Sequence, residues 1–173
     1  MHSTSMPSCG KETLRLLVTG IPGSGKTQFG EYLASAHGFV HRDLEDATEF
    51  ADFVDNPLTY LFRLSAEGKK SVITWGFVPV FCQIELVRSI VKRGFGIVWF
   101  DGDRPAALRA FQRRGTTPEA NFYLQMHRIE SSRALELIGP IRINTFDEHG
   151  GFKEPVAIFD EIQRALAASS VRT

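Results

Sequence analysis

Two rhythms of apolar and polar positions take turns along this chain. Short apolar runs at Leu14–Thr19, Phe39–His41, Ser71–Trp75, Gly96–Phe100 and Ile141–Asn144 have strand length. Between them lie helical patterns: Thr27–His37, with Phe29, Tyr32, Leu33 and Ala36 on one side, then Glu45–Val54 and Pro57–Glu67, divided at Asn56-Pro57. Pro79–Arg93 continues the series with Pro near its first turn, and Asp103 caps a helix that runs through Pro105 to Arg114. Thr116-Thr117-Pro118-Glu119 reads as a further helix start whose pattern continues to about Ile138, and Pro155–Ala168 closes the chain. Strands alternating with helices predict an α/β fold with a parallel sheet covered on both faces. Ligands of such sheets gather at the carboxyl ends of the strands, where Gly20, Asp43, Gly76 and Asp101 fall.

The first of these strand ends carries chemistry. Gly20-Ile21-Pro22-Gly23-Ser24-Gly25-Lys26-Thr27 fits the phosphate-binding pattern G-x-x-x-x-G-K-[ST]. Four fixed positions arise by chance in such a chain well under about 1% of the time. Glycines let the loop turn its N–H groups inward around an anion. Lys26 is placed to reach the β- and γ-phosphates, Thr27 to ligate Mg²⁺, and the helix that follows offers its positive end. The strand before and the helix after supply the setting this motif requires. A nucleotide site is the expectation, with Gln28 next to it.

Composition changes this picture little. The chain has 173 residues, 43% hydrophobic and 23% charged, which suits one globular domain. We expect a flexible leader over 1–12 and a single domain over 13–173. Twenty basic and twenty acidic residues cancel, which argues against a dedicated nucleic-acid partner. Cys9 and Cys82 lack metal-ligand spacing, and Cys82 reads as a small buried hydrophobe. No apolar run reaches the roughly 18 residues of a membrane span, and the polar start lacks a signal-peptide centre. A cytoplasmic setting is expected.

Other residues fit a cleft that transfers a phosphoryl group. Asp43, just past the second strand, is suited to act as base toward an acceptor hydroxyl or to position Mg²⁺; it is equally suited, like Asp46, to cap a helix. Glu45 and Asp46 read as solvated helix-start charges. Arg109, Arg113 and Arg114 share a helix, with 109 and 113 on one face. One of them is expected to neutralise charge on the moving phosphoryl group, the alternative being a basic helix end favoured by the dipole. Residues from about 112 to 138 form either a mobile cover or an amphipathic helix packing through Phe122, Leu124 and Ile129. His127 reads as a surface histidine. Arg63 is a candidate to receive an anionic acceptor, with a plain surface charge as the other reading.

GIPGSGKT, the Phe39-Val40-His41-Arg42-Asp43 turn, ITWG and WFDGDRPAALRAFQRRG together resemble the small P-loop kinases. The likeness is to shikimate and gluconate kinases, and more distantly to nucleoside monophosphate kinases. It implies a three-layer fold, a five-stranded parallel sheet of order 2-3-1-4-5, a helical lid, ATP as donor, and a hydroxyl-bearing small molecule as acceptor. It also implies an acceptor-facing role for Asp43, a substrate contact at Gly76, a nucleotide contact at Arg109 and a lid arginine at 113 or 114. Phe62-Arg63 resembles the pair that binds shikimate. The chain departs from its relatives at His41 and Trp75, where they place carboxylates. Those departures leave two further readings, a nucleotide switch or hydrolase serving a macromolecular partner and a nucleic-acid end kinase.

Overall fold

The computed structural model describes residues 13–68, 70–115 and 117–170. The expected leader, Cys9, Lys69, Thr116 and 171–173 lie outside the described residues. Five parallel strands form one sheet: β1 (Leu14–Gly20), β2 (Val40–Asp43), β3 (Lys70–Thr74), β4 (Gly96–Asp101) and β5 (Ile141–Asn144). Their order is β2-β3-β1-β4-β5, as the resemblance implies. The sheet centre is apolar on both faces because both are covered. Leu17, Ile73 and Trp99 face one core, and Leu16, Val72, Val98 and Phe100 face the other.

Helices α1 (Lys26–His37) and α8 (Pro155–Ser170) cover the second core through Phe29, Leu33, Ile158 and Ile162. The first core is closed by α2 (Ala47–Asp55), α3 (Pro57–Glu67), α4 (Phe81–Val91), α5 (Arg104–Arg114), α6 (Glu119–Ser131) and α7 (Ala134–Ile138). The caps follow local chemistry. Asp103 accepts from the Ala106 amide at 2.7 Å, with Pro105 in the first turn, where its missing N–H costs nothing. Asp46 accepts from the Thr48 and Glu49 amides at 2.8 and 3.0 Å, so α2 begins two residues later than the spacing suggests. Such a cap contributes about 1 kcal/mol.

Several expectations are corrected. Pro79 precedes α4 rather than entering its first turn, because Val80 is extended and the Val78 N–H donates to Gln83 Oε1 at 2.5 Å. The single helix expected up to Ile138 is two, since Ser132 turns extended between α6 and α7. Within α6, Phe122, Met126 and Ile129 are the buried set, and Leu124 is exposed. Cys82 is exposed rather than buried, since it lies in the first turn of α4, whose core side falls at Val87 and Ile90. Among the described residues no helix is long and apolar enough to cross a membrane.

Candidate active site

The glycine loop closes β1 onto α1. Ile21 N–H donates to the Phe100 carbonyl at 3.0 Å, anchoring the loop to β4. Gly23 adopts φ +75°, and a Cβ there would stand 2.1 Å from the Ala107 carbonyl oxygen, so α5 is seated against bare backbone. No side chain caps α1, whose N-cap residue is Gly25 in the left-handed region. The first-turn N–H groups are left for an anion.

Lys26 is buried and stays inside its loop. Its Nζ donates to the Ile21 carbonyl at 3.2 Å and lies 3.6 Å from Glu45 Oε1. Burial pushes its pKa below the ordinary lysine value; Glu45 and Asp43 oppose that shift, and Arg114 adds to it. Thr27 Oγ1 donates to Asp43 Oδ2 at 2.9 Å, and the other Asp43 oxygen accepts from the Glu45 amide at 3.0 Å. The two residues expected to hold Mg²⁺ are therefore adjacent, and their hard oxygens suit that ion. Among the described residues no group of three His, Cys, Asp or Glu could hold a metal by itself.

Two cavities meet at this point. The larger, about 690 Å³, is lined by Gly23, Gly25, Lys26, Thr27, Gln28, Asp43, Arg113 and Arg114, with Phe152 on its wall. The smaller, about 330 Å³, is lined by Pro22, Lys26, Leu44, Glu45, Phe50, Trp75, Gly76, Gln83, Phe111, Arg114, Thr117 and Gln125. Lys26, Glu45 and Arg114 belong to both. Glu45 sits between the cations, with Oε2 3.3 Å from Arg114 and Oε1 3.6 Å from Lys26. Its Oε1 also lies 2.7 Å from where a side chain at Gly76 would begin, so a larger residue there would move this carboxylate.

This arrangement sorts the expected residues. Asp43 faces the larger cavity and Thr27, and it does not line the smaller one. Glu45 is exposed, as expected of a helix-start charge, and its carboxylate also turns back onto Lys26. Two acids stand side by side at a helix start, and Asp46 alone caps the helix while Glu45 turns back onto Lys26. Arg113 and Arg114 reach the cleft; Arg109 is exposed and lies beside Gly150, in the loop after β5. Arg63 is not brought to either cavity. The buried side of α3 is Tyr60, Leu61 and Leu64, so Phe62 and Arg63 point outward, and Arg63 pairs with Asp52 at 2.5 Å. His127 is exposed, as expected.

The departures at His41 and Trp75 also acquire places. His41 Nε2 lies 2.9 Å from Thr74 Oγ1 and only 2.3 Å from where a Cβ on Gly30 would stand. It is wedged between β3 and α1, one strand step below Asp43, and burial lowers its pKa. Trp75 is buried, its ring 5.9 Å from Phe50 and 5.7 Å from Phe77. The tryptophan that replaces a carboxylate is thus a wall of the smaller cavity. Phe152 is a residue the sequence offered no signal for: it stacks on Phe146 at 4.8 Å and covers Gly25.

The sheet order and the glycine loop are those of solved small P-loop kinases. Among solved structures, a shikimate kinase from Acinetobacter baumannii in complex with shikimate is similar at TM-score 0.60 and 17% identity, covering 94% of this chain and 98% of that one. A gluconokinase from Sinorhizobium meliloti is similar at TM-score 0.57 and 16% identity, covering 94% and 97%. A tunicamycin resistance protein from Deinococcus radiodurans is similar at TM-score 0.54 and 11% identity, covering 89% and 96%. No protein-family model matches the chain, and no curated protein matches it. At these identities the likeness is one of fold.

Proposed function

We propose that this protein transfers the γ-phosphoryl group of ATP, as its Mg²⁺ complex, to a hydroxyl group of a small molecule. The observation that carries this reading is the junction at Glu45, where one carboxylate stands between a nucleotide-sized cavity and a second, smaller one. The larger cavity takes the triphosphate on the loop amides, with Arg113 on its wall. Lys26 and Arg114 then turn from Glu45 to the phosphate oxygens, which frees the carboxylate. Thr27 and Asp43 hold Mg²⁺, which supplies positive charge to the β- and γ-phosphates.

The acceptor hydroxyl, seated in the smaller cavity, gives its proton to Glu45. Its oxygen forms the new bond to the γ-phosphorus, and the bond from that phosphorus to the β,γ-bridging oxygen breaks, leaving ADP. Arg114 neutralises the charge that develops on the moving group. The segment from about 112 to 138, which supplies Arg114 and Gln125, covers the acceptor and excludes water as a lid. A cytoplasmic setting, where MgATP is abundant, fits this activity. The aromatic Trp75 segment, which by sequence favoured a macromolecular partner, is occupied as cavity wall and supports the small-acceptor reading instead.

The test is to incubate the protein with γ-labelled ATP and a pool of small metabolites, and to read products by mass. We expect one or more metabolites to gain a phosphoryl group. Label released only as inorganic phosphate would overturn the proposal in favour of a hydrolase.

A further inference from the structure

The smaller cavity has a chemistry of its own. Its charged lining consists of Lys26, Glu45 and Arg114, and these already pair with one another. Both cations also face the larger cavity, so phosphate claims them when a nucleotide binds. No cation remains for an acceptor's own negative charge. A carboxylate entering there would face Glu45 and the triphosphate, and like charges held this close are strongly repulsive. Arg63, the sequence candidate for that duty, is held outside by Asp52.

Apart from Gln83, Thr117 and Gln125, the rest of the wall is uncharged and largely apolar. Leu44, Trp75 and Phe111 are buried, and Phe50 lies across from Trp75 at an interplanar angle of 44°. Aromatic faces of this kind accept a ring by offset or tilted stacking. Hydrogen bonding falls to neutral groups, the Thr117 hydroxyl and two amides. Gln83 has its Oε1 committed to the Val78 amide, so its NH₂ is the group left to offer. Gln125 reaches in from α6 with no hydrogen-bond partner recorded among the described residues. A volume near 330 Å³ is at the low end for ligand sites and suits a small molecule of about one ring.

We infer that the acceptor is an uncharged alcohol carried on an apolar ring, and not a sugar acid or another anionic polyol. This inference rests on the kinase reading, and binding and transfer are measured separately to keep the two apart. Calorimetry on the full chain, saturated with Mg²⁺ and a non-hydrolysable ATP analogue, uses 1-phenylethane-1,2-diol, mandelate, sorbitol and gluconate as probes. Mandelate differs from the diol by a carboxylate in place of a hydroxymethyl group, and sorbitol is uncharged but ringless. The expected result is binding of the diol at least about tenfold tighter than each of the other three. Gln125→Arg should then raise mandelate affinity about tenfold by supplying the missing cation.

The same probes are then offered with ATP and read by mass. Diol binding with phosphorylation supports both readings. Diol binding without transfer, with ATP still bound, removes the kinase reading and leaves the ring-alcohol preference standing. Equal or tighter binding of mandelate, gluconate or sorbitol, or no binding of the diol, overturns the inference.

Discussion

The donor lobe is built mostly from one unbroken stretch, Gly20 to Thr27, and it presents chiefly backbone N–H groups around Lys26. The acceptor lobe is assembled from scattered segments, with Leu44, Phe50, Trp75, Gln83, Phe111 and Gln125 meeting only through the fold. Backbone donors are indifferent to the residues that carry them, provided the turns are possible. Side-chain walls depend on each residue separately. A contiguous backbone loop therefore tolerates change in the residues around it, whereas each substitution in the walls of the smaller cavity changes its chemistry.

Removing Lys26 should break the donor half most severely. Lys26→Ala deletes a cation aimed at the transferring phosphoryl group, and losses of about 10²–10³ in kcat follow from removing such a group. Because Lys26 is buried with its pKa lowered by desolvation, its charge costs the fold energy, so the melting temperature should hold or rise. A variant that turns over normally would sink the assignment of this lobe. One that unfolds would show that Lys26 is structural.

Exchanging the two carboxylates sharpens the boundary between the lobes. Glu45→Gln should lower kcat by about 10²–10⁴ while MgATP binds as well or better, because the carboxylate no longer competes for Lys26 and Arg114. Asp43→Asn should instead raise the Mg²⁺ concentration needed for half-maximal rate, since Asp43 accepts from Thr27 in the donor lobe. Steady-state kinetics titrated in Mg²⁺ separates the two patterns. If they came out interchanged, the roles assigned here would be interchanged as well.

The same contrast explains what could be seen in the sequence. The strand positions and the loop were legible because hydrophobic rhythm and a contiguous motif encode them locally, and the sheet order followed only from the resemblance those motifs carry. Arg113 and Arg114 were legible as a pair because they end a helix that starts at a strand end. Glu45 was not, because neighbouring acids at a helix start look alike until one of them caps. Arg63 misled because the buried side of α3 is set by Tyr60, Leu61 and Leu64, a choice made by packing rather than by its own charge. His41, one of the two departures from the relatives' carboxylates, shares the alternation of Asp43. Its distance along the strand puts it under the site instead.

His41 gives the smallest effect and tests that placement. It packs between Gly30 and Thr74, with Asp43, Glu31 and Arg42 as its charged neighbours, and burial lowers its pKa from the ordinary value of 6.5. As pH falls below about 6.5, the unfolded chain takes up a proton that the folded chain still refuses. The unfolded state then binds more protons, so stability falls with falling pH until the lowered folded value is passed, below which the loss is constant. His41→Gln removes that titration. Between about pH 7.5 and about pH 5, the wild-type protein should therefore lose more melting temperature than the variant. MgATP affinity should change little, because the ring supports the strand below Asp43 without lining the donor cavity. A variant with the same pH profile as the wild type, or with MgATP binding abolished, would move His41 back into the site and blur the line between the two lobes.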